Sequence, residues 1–349
     1  MDQPIATDTA AMTALAARLS GIITSSWMSQ ATYVAAQLRL PDLLADGPKT
    51  AEELAGATGT HAPSLYRLLR ALTSIEICSE RNDKSFELAP MGALLRSATD
   101  ESLRSWAIFH GGYQWPIWGR LLDSVKTGES ARKLLTGADG FDHLERDPTI
   151  AAIFNQAMVE LTRLVSQEVV QAYDFSEMKR IMDVGGGYGQ LLAAILEATP
   201  GATGVLFDLP HAMEGARRRL QAMGLVERCE FVTGSFFESV PSSADVYLLK
   251  SIIHDWDDDR CQVILKNCRQ AMADGARLLL IERIMPERMQ SSAVDQAIAR
   301  SDLNMLVGPG GRERTESEFR TLLSAAGFQL TRIVPAGLIS TIIEAIPTQ

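Results

Sequence analysis

The stretch Arg180-Ile-Met-Asp-Val-Gly-Gly-Gly-Tyr-Gly189 decides the fold of this 349-residue chain. Ile181, Met182 and Val184 give an apolar strand pattern that runs straight into a glycine-rich turn. Leu191, Leu192, Ala194 and Ile195 then open a helical pattern. Glycines at such a turn let a ligand approach the backbone where a side chain would stand in the way. The free N–H groups that open the helix favour an anionic group. A cofactor site is expected here, and the rest of the chain must say which one.

Gly185, Gly187 and Gly189 give G-x-G-x-G, whereas a dinucleotide-binding turn asks for G-x-G-x-x-G. A second strand, Val205-Leu206-Phe207, ends in Asp208, an acid that can accept hydrogen bonds from both hydroxyls of a ribose. S-adenosylmethionine and NAD both carry that ribose. From Arg180 onward the pattern predicts strands near 180–184, 203–208, 229–233, 245–250 and 277–282, with helices near 189–198, 211–223 and 258–273. This is a βαβ series, hence an α/β domain with a largely parallel, doubly wound, Rossmann-like sheet. Ligands bind such sheets beyond the carboxyl ends of the strands, where Asp183, Asp208, Gly234, Lys250 and Glu282 fall.

The fourth strand leads through Lys250 into a loop carrying His254, Asp255 and Trp256. His254 is the one histidine placed to reach both cofactor and substrate, and its neutral imidazole is expected to take a proton near neutral pH. Glu282, ending the next strand, is placed to hold one tautomer and to favour the imidazolium. A second acid, Glu313, follows Gly308-Pro-Gly-Gly311. The competing reading makes His254 a loop histidine satisfied by Asp255.

The first half reads as helical. Residues 11–45 carry apolar anchors at Trp27, Tyr33, Val34, Leu38, Leu40, Leu43 and Leu44. Thr50 and Glu53 have capping-box spacing, Gly59 ends that helix, and Leu65, Leu68, Leu69 and Leu72 share a face of the next. A turn at 79–85 between two short extended pieces completes a winged-helix unit. Lys49, Arg67, Arg70, Arg81, Lys84 and Arg96 are balanced by Glu52, Glu53, Glu76, Glu80, Asp83 and Glu87. A DNA-reading surface needs a basic excess, so packing and dimerisation are expected instead. Residues 101–175 are mostly helical, with Trp106, Phe109, Tyr113, Trp115, Trp118, Phe141, Phe154 and Met158. Most of these are expected in the core, with some walling a pocket for a flat substrate. His110 and His143 read as structural. The expected division is 1–100, 101–175 and 176–349.

Composition narrows the class. Hydrophobic content of 46%, charged content of 22% and a formal charge of −10 suit a soluble globular protein and argue against a phosphate-bound nucleic acid. No apolar run reaches membrane-spanning length, and no basic-then-apolar leader opens the sequence. Cys78, Cys229, Cys261 and Cys268 show no C-x-x-C pairing and read as reduced thiols of a cytoplasmic protein. No metal is expected, and no carboxylate cluster built for magnesium is visible.

Asp183-Val-Gly-Gly-Gly-Tyr-Gly189, Phe207-Asp-Leu-Pro210, Gly234-Ser-Phe-Phe237, Lys250 with His254-Asp-Trp-Asp257, and Gly310-Gly-Arg-Glu-Arg-Thr315 together resemble class I S-adenosylmethionine-dependent O-methyltransferases. The group resembled is the caffeic acid and hydroxyindole O-methyltransferase family, including its bacterial natural-product members. The resemblance covers nearly the whole chain and implies an N-terminal winged-helix dimerisation domain, a homodimer, S-adenosyl-L-methionine as cofactor and an aromatic or polyketide-like hydroxyl as acceptor. It implies that Gly185 and Gly187 lie against the cofactor, with Asp183 beside its aminoacyl part. Asp208 would hold the ribose, Leu209 would pack on adenine, and Gly234, Ser235, Phe236 and Lys250 would line the adenine side. His254 becomes the general base, flanked by Glu282 and Glu313, while Met158, Asp255, Trp256, Asn304 and Met305 take substrate-pocket positions. Many family members carry Asp where Ser235 stands, which implies weaker adenine contact.

Overall fold

The computed structural model describes residues 9–97, 99–137 and 140–348. The chain divides into two compact units, Met1–Gly112 and Tyr113–Gln349.

The first unit runs α1 (Thr9–Gln37), α2 (Leu40–Ala45), α3 (Ala51–Thr58), α4 (Ala62–Thr73), β1 (Cys78–Glu80), β2 (Phe86–Leu88), α5 (Pro90–Ala93) and α6 (Arg104–Ile108). The capping box forms as its spacing predicts: the Glu53 amide donates to Thr50 Oγ1 at 3.2 Å and the Thr50 amide donates to Glu53 Oε2 at 2.7 Å. Gly59 ends α3 at φ 67°, a left-handed conformation that suits glycine. Leu40, Leu44, Leu54, Leu65, Leu69, Leu72 and Phe86 form the core. β1 and β2 pair antiparallel, and Lys49 bridges to Phe86 at their edge, which completes the winged-helix shape.

Trp27 corrects the expectation that it anchors this core. It is 66% exposed, and Met12, Leu15, Leu19, Ile22 and Ile23 on the same helix are likewise uncovered. Apolar side chains along a helix bury only what a neighbour covers, and among the described residues of this unit no element covers that part of α1.

The second unit opens with α7 (Gln114–Trp118), α8 (Leu121–Thr127), α9 (Ala131–Thr136), α10 (Asp142–Arg146) and α11 (Pro148–Ala172). There follow β3 (Arg180–Val184), α12 (Gln190–Ala198), β4 (Thr203–Asp208), α13 (Pro210–Ala222), β5 (Cys229–Thr233), β6 (Val246–Lys250), α14 (Asp258–Ala271) and β7 (Arg277–Glu282). The chain closes with α15 (Ala293–Val307), α16 (Glu316–Ala325), β8 (Phe328–Ala336) and β9 (Ser340–Pro347). The seven strands are ordered β5-β4-β3-β6-β7-β9-β8. The five strands expected from sequence are mutually parallel. The two that follow are not: β9 runs antiparallel to β7 and β8 antiparallel to β9.

The inner parallel strands β3, β4, β6 and β7 are apolar on both faces because each face is covered. Met182, Val184, Tyr247, Leu249, Leu278 and Leu280 enter one core cluster. Ile181, Leu206, Val246, Leu248, Leu279 and Ile281 enter the other. The crossover from β3 to β4 lies on one side of β3 and β6 on the other, so the carboxyl ends of β3, β4 and β6 frame the switch point where ligands bind.

The antiparallel pair is tied down by one acid. Glu344 accepts from Tyr173 Oη at 2.6 Å, Thr331 Oγ1 at 2.6 Å and Arg332 Nη2 at 2.7 Å. Burial alone would raise its pKa, but the bonds from Arg332, Thr331 and Tyr173 hold it at about 2. A depressed carboxyl stabilises the fold above its ordinary pKa and loses that contribution as pH falls toward the depressed one. Glu344→Gln should therefore cost about 1–3 kcal/mol of stability at neutral pH, read as a lower urea midpoint, with the gap from wild type closing in acid. An unchanged midpoint at pH 7 would refute this.

Candidate active site

Gly185, Gly187 and Gly189 have φ of 71°, 57° and 73°, so the turn that begins α12 depends on glycine at each of them. They differ in what surrounds them. A Cβ on Gly185 would lie 2.6 Å from Ile252, whereas one on Gly187 would meet nothing within 4 Å. Gly187 therefore presents bare backbone to open space at the carboxyl end of β3.

Asp208 accepts the Gly187 amide at 2.7 Å and the Leu209 amide at 2.6 Å. These bonds fix its plane and leave it further lone pairs. Burial raises its pKa despite the two amides. Asp183 rises to about 7, through burial first and the charge of Asp208 second. Lys250, ending β6, donates to Thr162 Oγ1 at 3.1 Å, and burial brings it down to about 8. Ser235 uses its hydroxyl to accept the Phe237 amide at 3.2 Å, and Asn267 holds the Phe236 carbonyl at 2.8 Å. The serine thus keeps the turn in shape without the charge of an aspartate.

His254 sits 5% exposed in a short 3₁₀ turn after β6. Its Nδ1 lies 3.2 Å from Glu313 Oε1, to which it donates, and 3.3 Å from Glu282 Oε2. Its Nε2 lies 3.6 Å from Asp255 Oδ1. Each carboxylate is itself held. Glu282 Oε1 accepts the Ile252 and Ile253 amides at 3.1 and 2.9 Å. Glu313 Oε1 accepts from Ser301 at 2.6 Å, and its own amide donates to Asp302 at 2.9 Å. Arg314, fully buried, donates to the carbonyls of Ile253 and Trp256 and to Asp258 at 2.7 Å. It pins the His254 loop from below.

Burial alone would lower the pKa of His254, but Glu282, Glu313 and Asp255 together lift it to about 9. This runs against the expectation of a neutral imidazole near neutral pH, because the three carboxylates outweigh desolvation and favour the imidazolium. Burial would raise Glu313, yet His254, Arg283 and Ser301 keep it low. Asp255 is pushed up to about 7 by burial. Ligand atoms of His254, Glu282 and Glu313 lie within 4.8 Å of one another. Arg283 stands 3.6 Å from Glu313 and occupies that cluster with positive charge, which suits a proton better than a divalent cation.

The aromatic segment is mostly not core. Of the residues singled out between 106 and 158, only Phe109 is buried, and Trp115 is 42% exposed. The half-buried rings of the second unit line a wall instead. Phe141 lies 5.6 Å from Phe154 and 5.8 Å from Trp256, and Trp256 lies 4.8 Å from Phe237. On α11, Phe154, Met158 and Thr162 are spaced by four and share a helix face. That stripe leads from Phe141 to Lys250. Met305 is buried, and Asn304 Oδ1 accepts from Trp118 Nε1 at 3.1 Å. His143 stacks on Tyr113 with ring centroids 5.1 Å apart. Sequence reasoning gave no role to Thr162, Arg283, Ser301 and Arg314, although Arg283 follows the end of β7 and Arg314 lies in the Gly310–Thr315 motif.

The fold and site define a class: a two-unit protein with a winged-helix unit and an α/β unit that binds a ribose-bearing cofactor beside a buried acid–base group. Residues 118–329 match the O-methyltransferase domain and residues 21–97 the O-methyltransferase dimerisation domain. The chain belongs to the S-adenosyl-L-methionine-dependent O-methyltransferase family. It is 44% identical over 333 residues to the phenazine O-methyltransferase PhzM of Lysobacter antibioticus, across 95% of this chain and 96% of that one. It is 38% identical over 331 residues to the mitomycin biosynthesis 6-O-methyltransferase of Streptomyces lavendulae, across 94% and 93%. The crystal structure of human N-acetylserotonin methyltransferase in complex with SAM superposes with a TM-score of 0.88 at 26% identity, covering 99% of this chain and 100% of that one. Some relatives are named as N-methyltransferases. No helix among the described residues is long and apolar enough to cross a membrane.

The residues present fit this cofactor. Open space over Gly187 admits it against the backbone, and the paired acids Asp183 and Asp208 suit its hydroxyls and its cationic groups. Gly187→Ala places a methyl in that space at a φ that costs an L-residue about 1–2 kcal/mol. Its affinity for S-adenosylhomocysteine, measured by calorimetry, should fall by more than its loss of stability accounts for. Unchanged affinity would remove Gly187 from the cofactor surface.

Proposed function

We propose that this protein methylates a hydroxyl group on an aromatic, natural-product-type small molecule, with His254 accepting the hydroxyl proton. The observation that carries this reading is the buried imidazole whose Nδ1 faces two carboxylates while Nε2 lies on the side of Asp255, 3.6 Å from its Oδ1. With Nδ1 as donor, the proton-accepting position is Nε2.

The cofactor supplies an electrophilic methyl group when bound. Asp208 would take its ribose hydroxyls, Asp183 its aminoacyl end, and Leu209, Gly234, Ser235, Phe236 and Lys250 its adenine side. The acceptor would lie along Met158, Trp256, Asn304 and Met305, with Asp255 beside its hydroxyl. A phenol has a pKa of about 10. A histidine at its ordinary value is a poor match for that proton, whereas one lifted to about 9 is nearly matched, which favours transfer. Glu282 and Glu313 therefore raise the basicity of the ring and position it. A neutral amine can attack without first losing a proton, so this buried base favours a hydroxyl acceptor over the N-methylation seen among some relatives. The apolar α1 face around Trp27 supports a homodimer formed through the first unit.

His254→Ala should reduce turnover by roughly 10²–10⁴ while cofactor affinity is retained. Near-normal turnover of the folded variant would sink the base assignment. The pH profile gives a second test. A base must lose its proton before it acts, so log kcat/KM should rise with pH and level off near 9. Glu313→Gln removes a carboxylate that raises the ring and should move that limb to lower pH. A limb that stays in place would contradict the role given to Glu313.

A further inference from the structure

A base must be neutral before it accepts a proton, and in this site that leaves an imbalance of charge. Glu282 and Glu313 have no exposed side-chain surface, and the ring of His254 lies against both. Once the ring is neutral it no longer balances them, and buried carboxylates without a cation are costly. Another positive charge has to stand nearby. Arg283 follows Glu282 at the end of β7, and its Nη1 lies 3.6 Å from Glu313 Oε1. Among the described residues it is the one arginine or lysine in ion-pair contact with either acid.

The backbone sets this contact. Ile284 bridges to Arg314 in parallel register, and the Met285 amide donates to the Arg314 carbonyl at 2.8 Å. Arg283 and Glu313 each stand one residue before that bridged pair, so the two segments carry cation and acid side by side. Glu313 Oε1 already accepts from Ser301 Oγ at 2.6 Å and from His254 Nδ1 at 3.2 Å. Two short donors fill the lone pairs of that oxygen. Arg283, at 3.6 Å, therefore acts on it by charge and not by a hydrogen bond. An arginine also stays charged throughout the range in which a histidine titrates.

The other charges around the ring do not replace it. Asp255, 3.6 Å from Nε2 on the same turn, adds a third acid. Lys250, at the end of β6, is held by Thr162, and burial and then the charge of Arg283 bring it down to about 8. It is itself losing a proton where the ring must lose one. Arg314 is engaged by the Ile253 and Trp256 carbonyls and by Asp258. Arg132, on α9, donates to the Gly140 carbonyl and meets His143, and its charge acts on Asp255. Asp302, on α15, holds the Glu313 amide. Arg283 is the cation that sets a permanent charge against the acid that orients the imidazole.

We propose that Arg283 is a positioning residue for the base: set against Glu313, its charge weakens the hold of His254 on its proton and so frees the ring to accept one from the methyl acceptor. The proposal rests on the reading of His254 as base and extends it to a residue outside the imidazole and its carboxylates.

The test is nuclear magnetic resonance titration of the full-length protein with nitrogen-labelled histidine. The chain has five histidines, and the His254 ring signals are those absent from His254→Ala. In Arg283→Gln the His254 midpoint should rise by about half a pH unit or more, the scale of one charge acting through a neighbour. The rising limb of log kcat/KM should move up with it, a loss of about threefold or more in kcat/KM below the midpoint. Arg283→Lys, which keeps a charge, should recover most of the shift. In the Glu313→Gln background the same Arg283→Gln change should move the midpoint less, because residues that act through one another are not additive. S-adenosylhomocysteine binding checks that each variant is folded, and Arg283→Met repeats the measurement if Arg283→Gln fails that check. A midpoint that stays or falls on loss of the Arg283 charge overturns the proposal, and so does a shift of equal size in the Glu313→Gln background. A midpoint that rises while the kinetic limb stays in place would uphold the action of Arg283 on the ring and defeat the reading of His254 as base.

Discussion

A single buried imidazole, shared between two carboxylates, sets the geometry of the catalytic end of this molecule. Three ionisable groups taken out of water together are tolerable only if their charges meet and their remaining valences are filled. That requirement reaches far along the chain. The Glu282 carboxylate gathers the amides of Ile252 and Ile253, Ser301 and Asp302 hold Glu313 and its backbone, and the Arg312 amide donates to the His254 carbonyl at 2.9 Å. A Cβ on Gly311 would lie 2.1 Å from that same carbonyl, so the turn closes only with glycine there. Segments near 254, 282 and 313 are brought together by one electrostatic need.

The cofactor end works differently. Asp208 is already oriented by two amides before anything binds, and the glycine turn is fixed by backbone conformation alone. Ligand binding there meets acceptors that need no rearrangement, which is the physical content of preorganisation. At the His254 end, by contrast, the surrounding carboxylates favour the protonated ring. In the proposed base role, that proximity of carboxylates sets the balance between the imidazole and a hydroxyl of similar acidity.

Much of this was legible in the sequence, for identifiable reasons. Strands β3, β4, β6 and β7 are buried on both faces, so their sequences are mostly apolar and a polar residue stands at or next to each carboxyl end. Asp183, Asp208, Lys250 and Glu282 were visible on that ground alone. β8 and β9 were not read, because β9 carries a buried Glu344 within an apolar run and β8 alternates polar residues on an outer edge. Glu313 was visible as an acid after a glycine-rich turn, but Arg132 and His143 were not visible as partners. Nothing local in a sequence distinguishes a buried arginine from a solvated one. The direction of the His254 shift was hidden for a similar reason: it depends on three carboxylates from separate segments, which only the fold brings together.

Trp27 shows the limit of reading helices one chain at a time. A run such as Met12, Leu15, Leu19, Ile22 and Ile23 predicts a covered face, and it is uncovered in this chain. Exposed apolar area of this kind is rare on a protein that stays alone. The winged-helix shape beside it has balanced charge and so offers no electrostatic hold on a phosphate backbone. The fold that elsewhere serves to read a groove is used here with an apolar helix at its edge, and the physics of that edge favours another protein surface. A second copy of α1 satisfies the requirement with an identical apolar stripe, because a two-fold contact pairs the same patch on both partners.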